Sequence, residues 1–221
     1  MISVIIPTLN AAATIREAIA PFQGDPVREV IVVDGGSTDA TIEIARAAGA
    51  RVVESKRGRG AQLIAGADSA ETDWLLFLHA DTRLGPGWKA DVTNFMAEPN
   101  NRLRGAVFRF ALDDDSPEAR RVERMVDWRN RVLDLPYGDQ GLLIHRVLYR
   151  VVGGFEPLPL MEDVDFMRRL NGRFLILDTP AVTSAERYKA EGYFKRSARN
   201  LLCLALYFVG VPPRNLVRLY G

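Results

Sequence analysis

The first third of the chain alternates short apolar runs with stretches of helical periodicity. The apolar runs, which predict four strands, are SVIIP (3–7), EVIVVD (29–34), ARVVES (50–55) and WLLFLHAD (74–81). Residues 10–22, 39–48 and 60–70 predict the helices between them, with Asp39 or Ser37 as N-cap of the second. Strands that are apolar on both faces and joined by helices favour an α/β fold, with a mostly parallel central sheet flanked by helices.

The pattern becomes less regular after Gly85. Helices are predicted from Pro86 to about Met96, from Pro117 onward with Val122, Met125, Val126 and Leu133 at helical spacing, and over the acidic start of 162–170. GAVFRFALD (105–113) and QGLLIHR (140–146) predict strands. Since no repeat or linker interrupts the chain, we expect one domain over 1–221, comprising 1–85, a more irregular part 86–190 and a helical segment 191–221.

Composition narrows the classes of partner. The 221 residues include 48% hydrophobic side chains, which is enough for a packed core. Because 29 Lys and Arg are balanced by 28 Asp and Glu, no global charge favours nucleic acid, and we expect no nucleic-acid partner. The single cysteine, Cys203, excludes an intrachain disulfide and a CxxC metal motif, and we expect it to be a small core residue in a reducing cytoplasm.

Two segments of the chain bear on whether the protein associates with a membrane. Met1 leads directly into ISVIIP without a charged region, so we expect a cytoplasmic protein. The apolar run 201–211 is shorter than the roughly 20 residues of a spanning helix, so no transmembrane span is expected. Lys195, Arg196 and Arg199 precede that run. We expect the run to pack on the domain; the alternative is peripheral contact with an anionic membrane surface.

Two aspartates follow predicted strands directly. Asp34 ends EVIVVD and is followed by Gly35 and Gly36, which allow a sharp turn close to a ligand, and Asp81 ends WLLFLHAD. In open parallel sheets ligands bind beyond the carboxyl ends of the strands, so both carboxylates are candidate ligand contacts. The alternative for Asp34 is a solvated turn carboxylate that merely starts the next helix.

Five segments in order resemble family 2 glycosyltransferases of the GT-A fold. They are ISVIIPTLNAAATI, VIVVDGGSTDATIEIA, GRGAQLIAGAD, WLLFLHADT and PLMEDVDFMRRL, and the resemblance covers about residues 2–190. The chain also resembles the small bacterial subgroup known as radical-SAM/selenodomain-associated transferases. The resemblance implies a nucleotide-diphosphate sugar donor bound by 1–85, a divalent cation (Mn2+ or Mg2+), and an acceptor and catalytic half in 86–190.

The resemblance also implies roles for individual residues at the donor site. Asp34 matches the aspartate that hydrogen-bonds the nucleobase, and HAD matches the Asp-x-Asp signature, which makes Asp81 the metal ligand. His79 stands where the family usually has aspartate, at a position that contacts the ribose or the metal. As a nitrogen ligand of the metal it would favour Mn2+ over Mg2+. Pro7 and Ala80 fall in the same matched segments and are assigned to the donor site. The alternative for His79 is packing at the strand end.

Cationic residues supply candidate diphosphate contacts. The loop SKRGRGAQ (55–62) carries Arg57 and Arg59 beside two glycines, a composition suited to a nucleotide or diphosphate, although an exposed basic turn explains any single residue equally well. The residues alone do not decide between Arg57 and Arg59. By resemblance, Arg187 in AERY is a further diphosphate candidate.

The acceptor side is assigned from the resemblance. Asp163 matches the general base of the family's Glu-Asp motif, which implies single in-line displacement and inversion at the anomeric carbon. Glu162, Asp139 and Gln140 are expected to border the acceptor, either a small molecule or a lipid-linked one. A charge–dipole effect at a helix start accounts for part of the acidic cluster 162–165.

Two other functions compete with glycosyl transfer. A sugar-phosphate nucleotidylyltransferase shares the architecture, but the N-terminal region lacks a clear glycine-rich activation loop followed by Arg and Lys. A non-catalytic nucleotide-sugar binding protein is suggested by His79. The sequence leaves the oligomeric state undetermined.

Overall fold

A computed structural model describes residues 1–220. Within them the strands are β1 (Ile2–Thr8), β2 (Val27–Asp34), β3 (Arg51–Glu54), β4 (Trp74–Phe77), β5 (Thr82–Leu84), β6 (Gly105–Leu112), β7 (Leu142–His145) and β8 (Phe174–Thr183). The α-helices are α1 (Ile15–Ile19), α2 (Thr41–Ala47), α3 (Arg59–Ser69), α4 (Trp88–Ala97), α5 (Pro117–Leu133), α6 (Arg146–Val151), α7 (Glu162–Leu170), α8 (Glu186–Glu191), α9 (Tyr193–Phe208) and α10 (Pro213–Tyr220).

All the strands of the described chain belong to one sheet. Their order is β3-β2-β1-β4-β7-β6-β8-β5. The pairs β1–β2, β1–β4, β2–β3 and β6–β8 are parallel, while β4–β7, β6–β7 and β5–β8 are antiparallel. The predicted α/β class with a mostly parallel central sheet is confirmed, and the antiparallel pairs lie in the second half of the chain.

Alternate residues of the central strands supply the cores on the two faces of the sheet. Ile5 of β1 packs on the face covered by α3 and α7, and its neighbour Val4 packs on the face covered by α1, α2 and α4. Both side chains are fully buried. This two-sided burial explains why the strands are continuously apolar in the sequence.

The first predicted helix is shorter than expected. Only α1 is helical within 10–22, because the preceding backbone is held in a turn by the loop after β2. Asn10 has φ 52°, its N–H donates to Ser37 Oγ at 2.9 Å, and the Ala11 N–H donates to Thr41 Oγ1 at 2.7 Å. The expected N-cap of α2 is also wrong: Ala40 occupies that position.

The prediction of 162–170 as a helix is confirmed by α7, whereas β5 and β8 were not predicted. The sequence of β8 has neither regular alternation nor continuous burial, and it contains Pro180. Its pairing with β6 shifts register between Phe108 and Arg109. Tertiary pairing therefore decides this strand, and local propensity does not reveal it.

The C-terminal apolar run packs with only part of its side chains. Cys203 and Leu204 of α9 are buried, which confirms the core role of the cysteine. Leu202, Phe208 and Val209 are exposed, so the expectation that the run packs on the domain is only half correct. Among residues 1–220, no helix combines the length and apolarity needed to cross a membrane.

Candidate functional site

The carboxyl ends of β1, β2 and β4 meet at one edge of the sheet. Thr8 at the end of β1 pairs with Asp34 at the end of β2, and Ile5 pairs with Phe77 at the end of β4. Because β1 is parallel to both neighbours, Asp34 and the loop containing His79 and Asp81 follow the same edge.

Asp34 is buried and fixed by the turn that follows it. It is 1% exposed, so the alternative of a solvated turn carboxylate is wrong. Its Oδ2 accepts the N–H groups of Gly36 and Ser37 at 2.8 Å, and its Oδ1 accepts the hydroxyls of Ser37 and Thr8. Burial raises the pKa of Asp34, but these hydrogen bonds outweigh it and hold the pKa below its usual value.

Gln62 joins the ends of β1 and β2 and was not identified from the sequence. Its buried Nε2 donates to the carbonyl oxygens of Thr8 at 2.7 Å and Val33 at 2.8 Å. A β-carbon on Gly35 would lie 3.1 Å from the Gln62 amide, so a larger residue at position 35 would require this amide to shift. A glutamine within the buried stripe of α3 was the available signal.

The two arginines of the basic loop lie in different environments. Arg57 is exposed, whereas Arg59 begins α3 and forms an ion pair with Glu162, the first residue of α7. Glu162 is 0% exposed. Burial raises the pKa of Glu162, and the positive charge of Arg59 partly offsets this. Glu162, expected to border the acceptor, therefore holds Arg59 in position.

Asp163 lies next to His79, with Gly138 between them. The Gly138 N–H donates to Asp163 Oδ2 at 2.9 Å, and the Val164 N–H donates to Oδ1 at 2.8 Å. A β-carbon on Gly138 would be 2.7 Å from His79 Nε2 and 3.3 Å from Asp163 Oδ2. Burial raises the pKa of Asp163, but Arg59, the Gly138 N–H and His79 lower it further, so the carboxyl is ionised at neutral pH.

His79 faces this polar cluster, which counts against simple packing at the strand end. Burial, followed by the charge of Arg59, lowers the pKa of His79 to about 4, while Asp81 and Asp163 partly offset the effect. Arg187, exposed in α8, also lowers it, so this cation lies near the imidazole. At neutral pH the ring is therefore uncharged and retains a nitrogen lone pair.

Asp81 and His79 suit a cation shared with a bound diphosphate. No hydrogen bond within residues 1–220 goes to the Asp81 carboxylate, and that part of the chain contains no group of three or more His, Cys, Asp or Glu side chains arranged to hold a metal ion. One carboxylate and one imidazole leave coordination positions for phosphate oxygens and water, an arrangement compatible with Mn2+ or Mg2+.

Pro7 and Ala80 contribute no polar side chain to this edge. Pro7 is buried in β1 and pairs with Val33, while Ala80 packs against the core on the α1 face. Any contact that they make with a donor would therefore involve their backbone or apolar atoms.

Two cavities border Asp163. One is lined by His79, Gly138 and Asp163, and the other, here named the second cavity, lies between α5, α7 and α9. Its polar lining includes Arg59, Arg129, Tyr137, Asp139, Asp163, Tyr188, Ser197 and Asn200. The Arg129 guanidinium lies 3.4 Å above the Tyr137 ring centroid. Burial raises the pKa of Asp139 to about 6, an effect that Arg129 reduces, and Asp139 Oδ1 is buried without a hydrogen-bond partner among residues 1–220.

Gln140 and Arg129 differ from what the sequence suggested. Gln140 is fully buried; its Nε2 donates to the Phe108 carbonyl at 3.0 Å, and its Oε1 accepts from Asn130 at 3.0 Å. It therefore supports the loop that carries Asp139. Arg129 was not identified, although it falls seven residues after Val122 in the apolar stripe of α5, where a charged residue is a usable signal.

Comparisons with known sequences agree over most of the chain. The model of the family described as "Glycosyl transferase family 2" matches residues 3–150. Glycosyltransferase AglJ of Haloferax volcanii is 39% identical over 82 residues, which are 36% of this chain and 27% of that protein. A PGL/p-HBAD biosynthesis glycosyltransferase of Mycobacterium bovis BCG is 29% identical over 182 residues, covering 75% of this chain and 68% of that protein.

Solved structures share the fold. Glucosyl-3-phosphoglycerate synthase of Mycobacterium tuberculosis, in complex with Mn2+, UDP and glucosyl-3-phosphoglycerate, superposes with a TM-score of 0.65 at 22% identity, covering 96% of this chain and 81% of that one. TarS 1–349 of S. aureus superposes with a TM-score of 0.65 at 17% identity, covering 99% of this chain and 69% of that one.

Proposed function

This chain belongs to glycosyl transferase family 2, with the GT-A fold, and we propose that it transfers a sugar from a nucleotide-diphosphate donor to a hydroxyl acceptor with inversion, using a divalent cation. Membership of this family favours transfer over both nucleotidyl transfer and binding alone. The proposed division of labour assigns donor binding to 1–85 and acceptor binding and the base to 86–190. The proposal includes the segment 191–221 in the same domain, which is supported by Ser197, Asn200 and Tyr220 in the lining of the second cavity.

The observation that carries the proposal is the position of Asp163 between two cavities. One is lined by His79, Gly138 and Asp163, and the other by Asp163, Asp139 and Tyr188. A base must lie between the reacting carbon of the donor and the acceptor hydroxyl, within hydrogen-bond reach of the latter. The position of Asp163 supports this role, because it lines both the cavity that contains His79 and the second cavity.

The chemistry is a single displacement. The acceptor hydroxyl oxygen forms a bond to the anomeric carbon while the bond from that carbon to the diphosphate oxygen breaks. The hydroxyl proton passes to the Asp163 carboxylate, and a nucleoside diphosphate leaves. Asp163 is held for this role by the N–H groups of Gly138 and Val164, and its lowered pKa keeps it in the basic form. Attack opposite the leaving group inverts the anomeric centre.

Charge on the leaving diphosphate is met by cations of the chain. Arg59, positioned by Glu162, and Arg187 both lower the pKa of His79, which supports a role for their positive charges at the proposed diphosphate site. Asp81 and His79 would hold the divalent ion, which supplies Lewis-acid stabilisation of the departing diphosphate when bound. Structures of the mycobacterial synthase contain UDP with Mn2+ or with Mg2+, which supports this assignment.

For the acceptor we propose a hydroxyl compound that is either a small molecule or linked to a lipid. The cavity combines apolar residues with the unpartnered polar atoms of Asp139, Ser197 and Asn200, so it suits an amphipathic molecule. The mycobacterial synthase has been solved in complex with phosphoglyceric acid, a small molecule. A cytoplasmic location is compatible with the single buried free thiol, Cys203.

The first experiment is a thermal-shift screen with UDP, GDP, ADP and dTDP, each with and without Mn2+. A ligand at about 100 times its Kd adds about 2.7 kcal/mol of stability, which corresponds to a shift of several degrees. We expect a metal-dependent shift for one nucleotide. The absence of a shift with every nucleotide would contradict a nucleotide-diphosphate site.

Two variants distinguish nucleotide binding from sugar transfer. Asp81→Ala should abolish the metal-dependent part of the nucleotide shift, whereas Asp163→Asn should preserve that shift and lose sugar transfer. Release of nucleoside diphosphate, measured with the matching nucleotide sugar and a hydroxyl acceptor, reports transfer. If Asp163→Asn transfers at the wild-type rate, Asp163 is not the base.

A further inference from the structure

The helix α9 departs from the pattern of an ordinary surface helix: polar side chains face inward in its first half, ahead of the buried Cys203 and Leu204, while apolar side chains face solvent. A surface helix usually directs its apolar stripe inward and its charged residues outward. In α9 the inward side carries Arg196, Ser197, Arg199 and Asn200, which are buried or half-buried. The exposed apolar residues on the other side and just past its end, here named the outward face, are Phe194, Leu201, Leu202, Ala205, Phe208 and Val209.

The polar inward side has partners within the fold. Arg196 and Arg199 both pair with Glu191, and Ser197 and Asn200 line the cavity beside Asp163. The cavity therefore accounts for the polarity of this side. Nothing in residues 1–220 accounts for the outward face, where Phe194 is 87% exposed and Val209 is 78% exposed.

The charge of the C-terminal segment is uniformly positive. Residues 192–221 contain five cationic side chains, Lys195, Arg196, Arg199, Arg214 and Arg218, and no Asp or Glu. Lys195, Arg214 and Arg218 form no ion pair with any other residue of 1–220 and are exposed. On α10, Val217 and Leu219 add exposed apolar area beside those arginines. The surface thus combines exposed apolar side chains with free positive charge.

This combination argues against a second copy of the chain as the occupant. A two-fold dimer through the outward face would bring the segment 192–220 against itself. Cations would then oppose cations, and the segment offers no carboxylate to neutralise them. An anionic partner is required by charge, and a fluid apolar phase is required by the outward face.

We propose that the outward face of α9, together with the exposed side of α10, binds the surface of an anionic lipid membrane. An amphipathic helix with aromatic and aliphatic residues on one side and Lys or Arg at its margin lies in the headgroup region with its axis in the plane of the surface. Phe194, Leu202 and Val209 enter the acyl boundary, and Lys195, Arg214 and Arg218 contact lipid phosphates.

The position of this face relates the membrane to the acceptor cavity. Leu201 belongs to the outward face and also lines the cavity beside Asp163, as does Met125 of α5. Trp128, one turn after Met125, is exposed and supplies an interfacial aromatic residue on the same side. The mouth of the cavity therefore lies at the membrane surface, where an acceptor carried by a lipid would present its hydroxyl group.

The test is co-sedimentation of the full chain with vesicles of phosphatidylcholine alone and of phosphatidylcholine with about one third phosphatidylglycerol, at low salt. Binding is expected only to the anionic vesicles and should weaken as salt rises. The apolar variant is Phe194→Ser, Leu202→Ser and Val209→Ser combined. Its matched control, on exposed apolar positions elsewhere, is Leu103→Ser, Val147→Ser and Val151→Ser combined. A charge variant combines Lys195→Ser, Arg214→Ser and Arg218→Ser.

The apolar variant should lose at least tenfold in vesicle partition while the control keeps the wild-type value. Each cation removed should cost about fivefold, so the charge variant loses roughly 100-fold. Three results would overturn the proposal: wild-type chain that stays in the supernatant with both vesicles, an apolar variant that partitions like the wild type, or a wild-type dimer that only the apolar variant dissociates. Binding is scored without donor or acceptor, so failure of the proposed sugar transfer would show separately in the nucleotide shift.

Discussion

Arg59, the first residue of α3, forms an ion pair with Glu162, the first residue of α7 and 103 positions later in the chain. The pair connects the basic loop of the donor half to the helix that carries Asp163. Because Glu162 is fully buried and half of its carboxylate has no hydrogen-bond partner in residues 1–220, the position of Arg59 and the protonation state of Glu162 depend on each other.

Removing one partner of this pair should be costly. Glu162→Gln removes the counter-ion of Arg59 and weakens their charge-assisted hydrogen bond. Because the Arg59 side chain is 31% exposed and can be solvated, we expect a loss of about 1.5 kcal/mol in the free energy of unfolding by urea. The matched control is Glu17→Gln, which breaks the exposed pair with Arg83 and should change stability by less than about 0.5 kcal/mol. Equal effects of the two variants would contradict the structural importance of the buried pair.

Gly138→Ala should impair the site more than the fold. The added β-carbon would meet His79 Nε2 at 2.7 Å, so the imidazole or the 138–140 loop must move. We expect at least a tenfold loss of kcat/KM for sugar transfer. Gly105→Ala, whose β-carbon would meet leucine side chains at 3.3 and 3.4 Å, is the control for a glycine contact away from the site. Wild-type kcat/KM in Gly138→Ala would show that His79 need not occupy this position.

Asp139→Asn should stabilise the protein in a pH-dependent manner. Burial raises the pKa of Asp139 from 3.8 to about 6, so its contribution to stability is complete below pH 3.8 and is lost as pH rises through 6. The variant should therefore gain about 2 kcal/mol at pH 7.5, and the gain should vanish near pH 4. Urea unfolding across this range measures it.

Asp34→Asn is a control for that experiment, because its effect on the free energy of unfolding at pH 7.5 should have the opposite sign. The pKa of Asp34 is held below its ordinary value of 3.8, so its contribution is present above that pH and is lost as pH falls through the lower value of the folded state. The variant should be destabilised at pH 7.5. Parallel pH profiles for the two variants would contradict the assigned environments.

Gln62→Leu should loosen the strand ends that carry Asp34. The substitution leaves the Thr8 and Val33 carbonyl oxygens without the Nε2 donor, at a cost of about 1–3 kcal/mol. Gln23→Leu, at an exposed position, should change stability by less than about 0.5 kcal/mol. Nucleotide binding should weaken in Gln62→Leu alone; a variant with wild-type stability and nucleotide affinity would remove Gln62 from the site.

The sequence by itself determined the elements whose burial is regular. Continuous apolar runs predicted β1, β2 and β4, and the acidic start of 162–170 predicted α7, because in each case the local pattern and the final environment agree. The run ARVVES also predicted β3, although that strand lies at the edge of the sheet and its residues are half-buried or exposed. The placement of Asp34 at the end of β2 followed from the same reasoning, since parallel strands bring their carboxyl ends to one edge. The predicted strand 74–81 was too long: β4 ends at Phe77, and Asp81 lies in the loop that follows, directly before β5.

Tertiary structure alone decided which polar residues act together. Arg59 and Arg57 are equivalent in the sequence, and only the approach of Glu162, far away along the chain, gives Arg59 an ion-pair partner and a half-buried position while Arg57 stays exposed. The strand β8 likewise exists because β6 and β5 pair with it. These outcomes depend on contacts between distant segments, whose energies no local periodicity records.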